Sequence, residues 1–141
     1  MDKDYESILA KTLADRLAEA CAEYLHWQVR QSWGLEQGEP DVQKLVKEDY
    51  QGIRPAPGYP ACPDHSEKKK LWQLLDPDQQ FPVRLTETCS MTPASSVSGW
   101  YFMYPGAKYF RVGKLGDDQL DAYAAMKGIT VKEVKKWIGV L

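Results

Sequence analysis

Between Arg54 and His65 the chain reads RPAPGYPACPDH, with prolines at 55, 57, 60 and 63. Each proline fixes its own φ, lacks a backbone N–H and pushes the residue before it toward extended geometry. Neither a helix nor a central strand can run through such a stretch. It is expected to form a stiff, polyproline-like rail whose carbonyls stay outside any ladder and need partners from elsewhere. Arg54 sets a permanent cation with a planar donor fork at its head. Gly58 removes the Cβ that would keep another molecule away from the backbone. A plain proline-rich surface connection is the alternative. The Arg, Gly and Tyr59 within the rail, and the patterned segments on both sides, favour a binding role.

The flanking segments predict the scaffold. Leu9, Leu13, Leu17, Cys21, Tyr24 or Leu25, and Val29 recur at about every fourth residue, so one long amphipathic helix is expected from about Tyr5 to Ser32. Asp15, Arg16, Glu19, Glu23 and Arg30 fall on its other faces as solvated charges, while His26 and Trp27 fit either core or surface. The turn WGLEQGEP ends this helix, and Asp41 can cap a short second one carrying Val42, Leu45 and Val46, antiparallel to the first. Glu48 closes that helix against the macrodipole, which hints at a cation nearby, either Arg54 or a ligand. Past the rail, Asp64 and Glu67 form a capping box for a helix with Leu71, Trp72, Leu74 and Leu75 on its apolar face. The rail therefore runs into a helix N-terminus, which suits an anionic group.

Val83 to Thr88 alternates as a half-buried strand does, MTPASS is a connection, and Val97 to Tyr104 is a second strand. Pro105-Gly106 is expected to turn the chain into a third, Lys108 to Gly113, making a hairpin of Gly99 to Gly113. Alternation then sends Tyr109 and Phe110 to opposite faces. Asp117 or Asp118 caps a helix ended by Gly128, and Thr130 with Glu133 opens a last one bearing Val131, Val134, Trp137 and Ile138. The expected class is α+β, a short antiparallel sheet with helices packed around it, in one domain over residues 1–141.

Composition excludes several functions. A formal charge of −2 with acids and bases interspersed argues against nucleic acid and against a polybasic membrane patch. Without an apolar run of membrane length or a signal-like start, the chain is expected in the cytoplasm. Cys21, Cys62 and Cys89 suit free thiols. Cys62 and His65 have a CxxH spacing, but no second pair completes a metal site. Ser96 and Ser98 lack the spacing of a nucleophile elbow, and no catalytic residue is expected in the chain.

QGIRPAPGYPACPDHSEK, LADRLAEACAEYLH, SVSGWYF, KYFRVGK and DQLDAYAAMKGITVKEVKKWIG together resemble one family, the activation domain of cobalamin-dependent methionine synthase, which binds S-adenosylmethionine. The likeness covers nearly the whole chain, although the family's domain is about twice as long and this chain matches its later part. It implies a C-shaped domain around a twisted antiparallel sheet, acting within a cobalamin-dependent methyltransferase, the 5-methyltetrahydrofolate-homocysteine methyltransferase. The implied role is to place the methyl donor for reductive remethylation of oxidised cobalamin. Cobalamin would sit on a partner domain, and the electron would come from flavodoxin or a related flavoprotein.

On the same resemblance Arg54 clamps the ligand's carboxylate, and Ala56 offers backbone groups. Tyr109 gives an aromatic wall and Phe110 its backbone or ring. Glu19 and Glu48 set a negative potential for the ammonium and sulfonium groups, and Tyr59 lies near the cobalamin face. An Asp that the family draws from its front half has no counterpart in this sequence. The competing reading is a non-catalytic module that docks a cobalamin-carrying protein or a flavoprotein through the same rail.

Overall fold

Thirty residues, Lys3–Ser32, form α1, the longest element of a computed structural model that describes residues 3–139. There follow α2 (Val42–Val46), a 3-10 turn (His65–Glu67) leading into α3 (Lys68–Leu75), α4 (Pro77–Gln80), β1 (Arg84–Leu85), β2 (Met91–Thr92), α5 (Asp117–Lys127) and α6 (Val131–Ile138). The class is α+β, with helices and one small antiparallel sheet.

The stripe expected to be covered on α1 is not the one that is. Leu9, Leu13 and Leu17 remain 54%, 59% and 62% exposed, whereas His26 and Arg30 are fully buried and Trp27 nearly so. The reason lies in what folds over the helix. His26 stacks on Tyr101 at 5.0 Å and meets the edge of Tyr50 at 5.2 Å, and the Arg30 guanidinium lies 3.7 Å from the centre of the Tyr50 ring. Aromatic faces accept a cation or an imidazole as readily as an aliphatic chain. A polar stripe at helical spacing therefore becomes the covered one.

Rail residues alternate in burial. Ile53, Pro55 and Pro57 are buried, while Arg54, Ala56 and Gly58 are half-exposed. That is the period of an extended edge strand. Contrary to expectation, its carbonyls are engaged. Pro55 O accepts from Trp100 N at 3.0 Å and Pro60 O from Val112 N at 3.0 Å, and Ile53 and Phe102 exchange two backbone bonds of 2.9 Å each. Proline removes donors but keeps acceptors, so the rail can pair along one edge.

This pairing replaces the expected hairpin of Gly99 to Gly113. The turn at Pro105-Gly106 forms, with Ala107 N donating to Tyr104 O at 2.9 Å, yet the arms part and each bonds the rail. The sheet lies elsewhere: β1 pairs with β2, Arg84 opposite Thr92 and Leu85 opposite Met91, so half of it comes from the stretch read as a connection.

Beyond the sheet, α5 and α6 close on Leu120, Ala124, Val134 and Ile138. The Thr130–Glu133 capping box is formed, with Thr130 N donating to Glu133 Oε2 at 2.8 Å and Glu133 N to Thr130 Oγ1 at 3.2 Å. At α5 neither expected aspartate is the cap; Gly116 is, and its N–H donates to Gln119 Oε1 at 2.9 Å. Asp64 caps through Ser66 N at 2.7 Å, but Glu67 turns away to accept from Lys127 Nζ at 2.8 Å, so that box is half made. Lys127 Nζ also donates to Asp64 Oδ2, as does Tyr123 OH at 2.8 Å, which ties the α5–α6 pair to the end of the rail. Burial alone would raise the Asp64 carboxyl; the bonds from Lys127, Ser66 and Tyr123 outweigh it and hold the group below its ordinary range.

Candidate functional site

A cleft of about 660 Å³ runs along residues 54–61 and is closed by residues 96–98, Tyr109 and Phe110. All seven residues singled out from the sequence, Glu19, Glu48, Arg54, Ala56, Tyr59, Tyr109 and Phe110, line it. A volume of this size suits a nucleoside-sized ligand.

Arg54 stands at the head of the rail with three carboxylates around it. Its Nη2 donates to Glu23 Oε2 at 2.7 Å, Nη1 lies 3.7 Å from Glu19 Oε2, and Nη2 lies 3.9 Å from Glu48 Oε1. Glu23 was assigned from the sequence to a solvated face, yet it is the strongest partner of the guanidinium. The available signal was its position one helical turn after Glu19 on the same face of α1. Burial by itself would lower the Arg54 pKa, but the hydrogen bond and charge of Glu23 raise it well above the ordinary value. The guanidinium is therefore a fixed cation. Its Nε is buried without a partner among the described residues, and so is Glu23 Oε1.

The backbone N–H of Arg54 donates to the Tyr109 hydroxyl at 3.0 Å, which pins Tyr109 to the rail. Phe110 and Tyr59 are each 61% exposed. The Ala56 carbonyl is already engaged, accepting from Tyr59 N at 3.3 Å.

Gly58 has a structural duty. Its φ is +92°, and an added Cβ would lie 2.3 Å from the His65 ring, so the molecule that approaches this backbone closely is the chain's own histidine. Cys62 and His65 take part in no metal cluster; among the described residues no group of three metal-binding side chains comes together. The three cysteines are free.

Burial pushes the His26 pKa down from 6.5 to about 4, and the charges of Arg30 and Arg54 push the same way. Among the described residues neither ring nitrogen has a hydrogen-bond partner. Above pH 6.5 the ring is neutral in folded and unfolded chains alike and adds no pH dependence. As pH falls from 6.5 toward 4, the unfolded chain takes up a proton that the folded chain refuses, so stability falls. Denaturant unfolding across that window should register a loss of about 2–3 kcal/mol that is absent from His26→Phe.

No helix among the described residues is long and apolar enough to cross a membrane. The family described as vitamin B12 dependent methionine synthase, activation domain, matches residues 1–128. A solved structure described as the MetH reactivation domain bound to AdoHcy is 49% identical, with a TM-score of 0.90 over 96% of this chain. The chain spans 42% of that relative's length. Matched over residues 1–128, the chain belongs to the family of vitamin B12 dependent methionine synthase activation domains.

Proposed function

We propose that this chain binds S-adenosylmethionine in the cleft at Arg54 and holds it for reductive remethylation of oxidised cobalamin on a partner domain, with flavodoxin or a related flavoprotein as electron source. The observation that carries this reading is the Arg54 fork, anchored by Glu23 at 2.7 Å and set beside Tyr109 on a rigid rail. The residues present fit the group. Among the described residues Nη1 has no carboxylate closer than 3.7 Å, so the fork retains a donor edge for the ligand's carboxylate. Glu19, Glu23 and Glu48 outnumber Arg54 three to one, which favours a ligand carrying ammonium and sulfonium charges.

S-adenosylmethionine supplies an electrophilic methyl group on its sulfonium sulfur. The chain's own residues orient and exclude water: Arg54 binds the carboxylate, Glu19 and Glu48 face the cations, and Tyr109 and Phe110 wall the cleft. The 61% exposure of Tyr59 supports an added docking role toward the cobalamin-bearing partner, which keeps the non-catalytic docking module as the second reading. Calorimetric titration with S-adenosylmethionine and with S-adenosylhomocysteine (AdoHcy) separates the two. Saturable heat with both is expected; no heat with either leaves only the docking module.

A further inference from the structure

An arginine side chain is long, and a clamp made from one gains affinity only if something holds the fork in place before the ligand arrives. Here the holder can be followed outward from α1, which carries Glu23, His26 and Arg30 on its covered face. Glu23 Oε2 accepts two hydrogen bonds, from Arg54 Nη2 at 2.7 Å and from Tyr50 OH at 3.0 Å. Among the described residues Glu23 Oε1 has no partner, so these two donors are what fix the carboxylate. The Tyr50 ring is held in turn, with the Arg30 guanidinium 3.7 Å over its face and the His26 ring set edge-on at 5.2 Å. A cation on the face of a phenol makes its hydroxyl a better donor. Burial and then the bond to Glu23 raise the Tyr50 pKa, so the hydroxyl keeps its proton and points it at the carboxylate.

We propose that Tyr50 and Glu23 are positioning residues for ligand binding: Tyr50 orients the Glu23 carboxylate, which aims the Arg54 fork at the carboxylate of the bound amino acid. This rests on the reading of the cleft as an S-adenosylmethionine site. Without the phenol, Glu23 can rotate about its side chain and Arg54 follows it toward Glu19, now 3.7 Å from Nη1. A phenylalanine at 50 fills the same space and keeps the stacking on Arg30, so what it removes is the hydroxyl, with its bond to Glu23 and its direct interaction with Arg54.

The test compares AdoHcy with decarboxylated AdoHcy, which keeps the adenosine, thioether and amine and lacks only the group that Arg54 would clamp. Both are titrated into the full chain, its Tyr50→Phe and its Glu23→Gln variants, with melting temperatures measured alongside. Tyr50→Phe is expected to weaken AdoHcy about fivefold and Glu23→Gln about tenfold or more, with decarboxylated AdoHcy changed by less than about twofold. Equal losses for both ligands would mean a general structural role and overturn the proposal; so would no loss for either. Absence of AdoHcy binding in the unsubstituted chain would instead overturn the reading of the cleft itself. If Tyr50→Phe does not fold, Glu23→Gln carries the same comparison.

Discussion

Replacing Arg54 by alanine is expected to weaken AdoHcy binding by about a hundredfold or more. A charge-assisted pair of hydrogen bonds to a carboxylate in a half-closed cleft contributes about 3 kcal/mol, which converts to that factor. The substitution also leaves Glu19, Glu23 and Glu48 without the cation that now lies within 4 Å of each. A ligand carboxylate entering there would meet three acids and no base. Arg54→Lys should recover only part of the loss, because an ammonium keeps the charge without the planar fork. Calorimetry with AdoHcy measures both. Retention of wild-type affinity in Arg54→Ala would remove the guanidinium from the site.

The second large effect is expected at a residue with no side chain. A Cβ at Gly99 would lie 2.6 Å from Pro55 O, the same carbonyl that accepts from Trp100 N. That contact is with backbone, on a proline whose φ is fixed, so neither side can move cheaply. Gly99→Ala should therefore push residues 97–102 off the rail, cost about 2–4 kcal/mol in denaturant unfolding and open the cleft between them. AdoHcy affinity should fall with stability. Unchanged stability would mean that the rail and its neighbour are not held as closely as 2.6 Å implies.

Gly99 and Glu23 show where the sequence was legible and where it was not. The proline rail and its arginine could be read because each rests on a property of the residue itself, a fixed φ or a permanent charge, whereas Tyr109 and Phe110 are placed by the family resemblance alone. The capping box at Thr130 and Glu133 could be read because its partners lie three residues apart. Pairing between distant segments could not. Val97 to Tyr104 and Lys108 to Gly113 carry the pattern of a hairpin, and nothing local announces that Pro55 and Pro60 offer competing acceptors.

The same limit applies to α1. Its leucine stripe and its Glu23, His26 and Arg30 stripe share one helical period, so periodicity alone could not decide which would be covered. That was decided by Tyr50 and Tyr101 arriving from elsewhere in the chain. Glu23 reads as a solvated charge because a carboxylate on a helix most often is one, and its partner lies 31 residues away.

A crystal structure of this chain grown with saturating AdoHcy tests the central claim most directly. The account predicts the amino-acid carboxylate within hydrogen-bonding distance of the Arg54 guanidinium, in the cleft beside Tyr109, with Glu23 still bonded to Arg54 and Tyr50. AdoHcy bound elsewhere, or bound in the cleft with its carboxylate pointing away from Arg54, would contradict it.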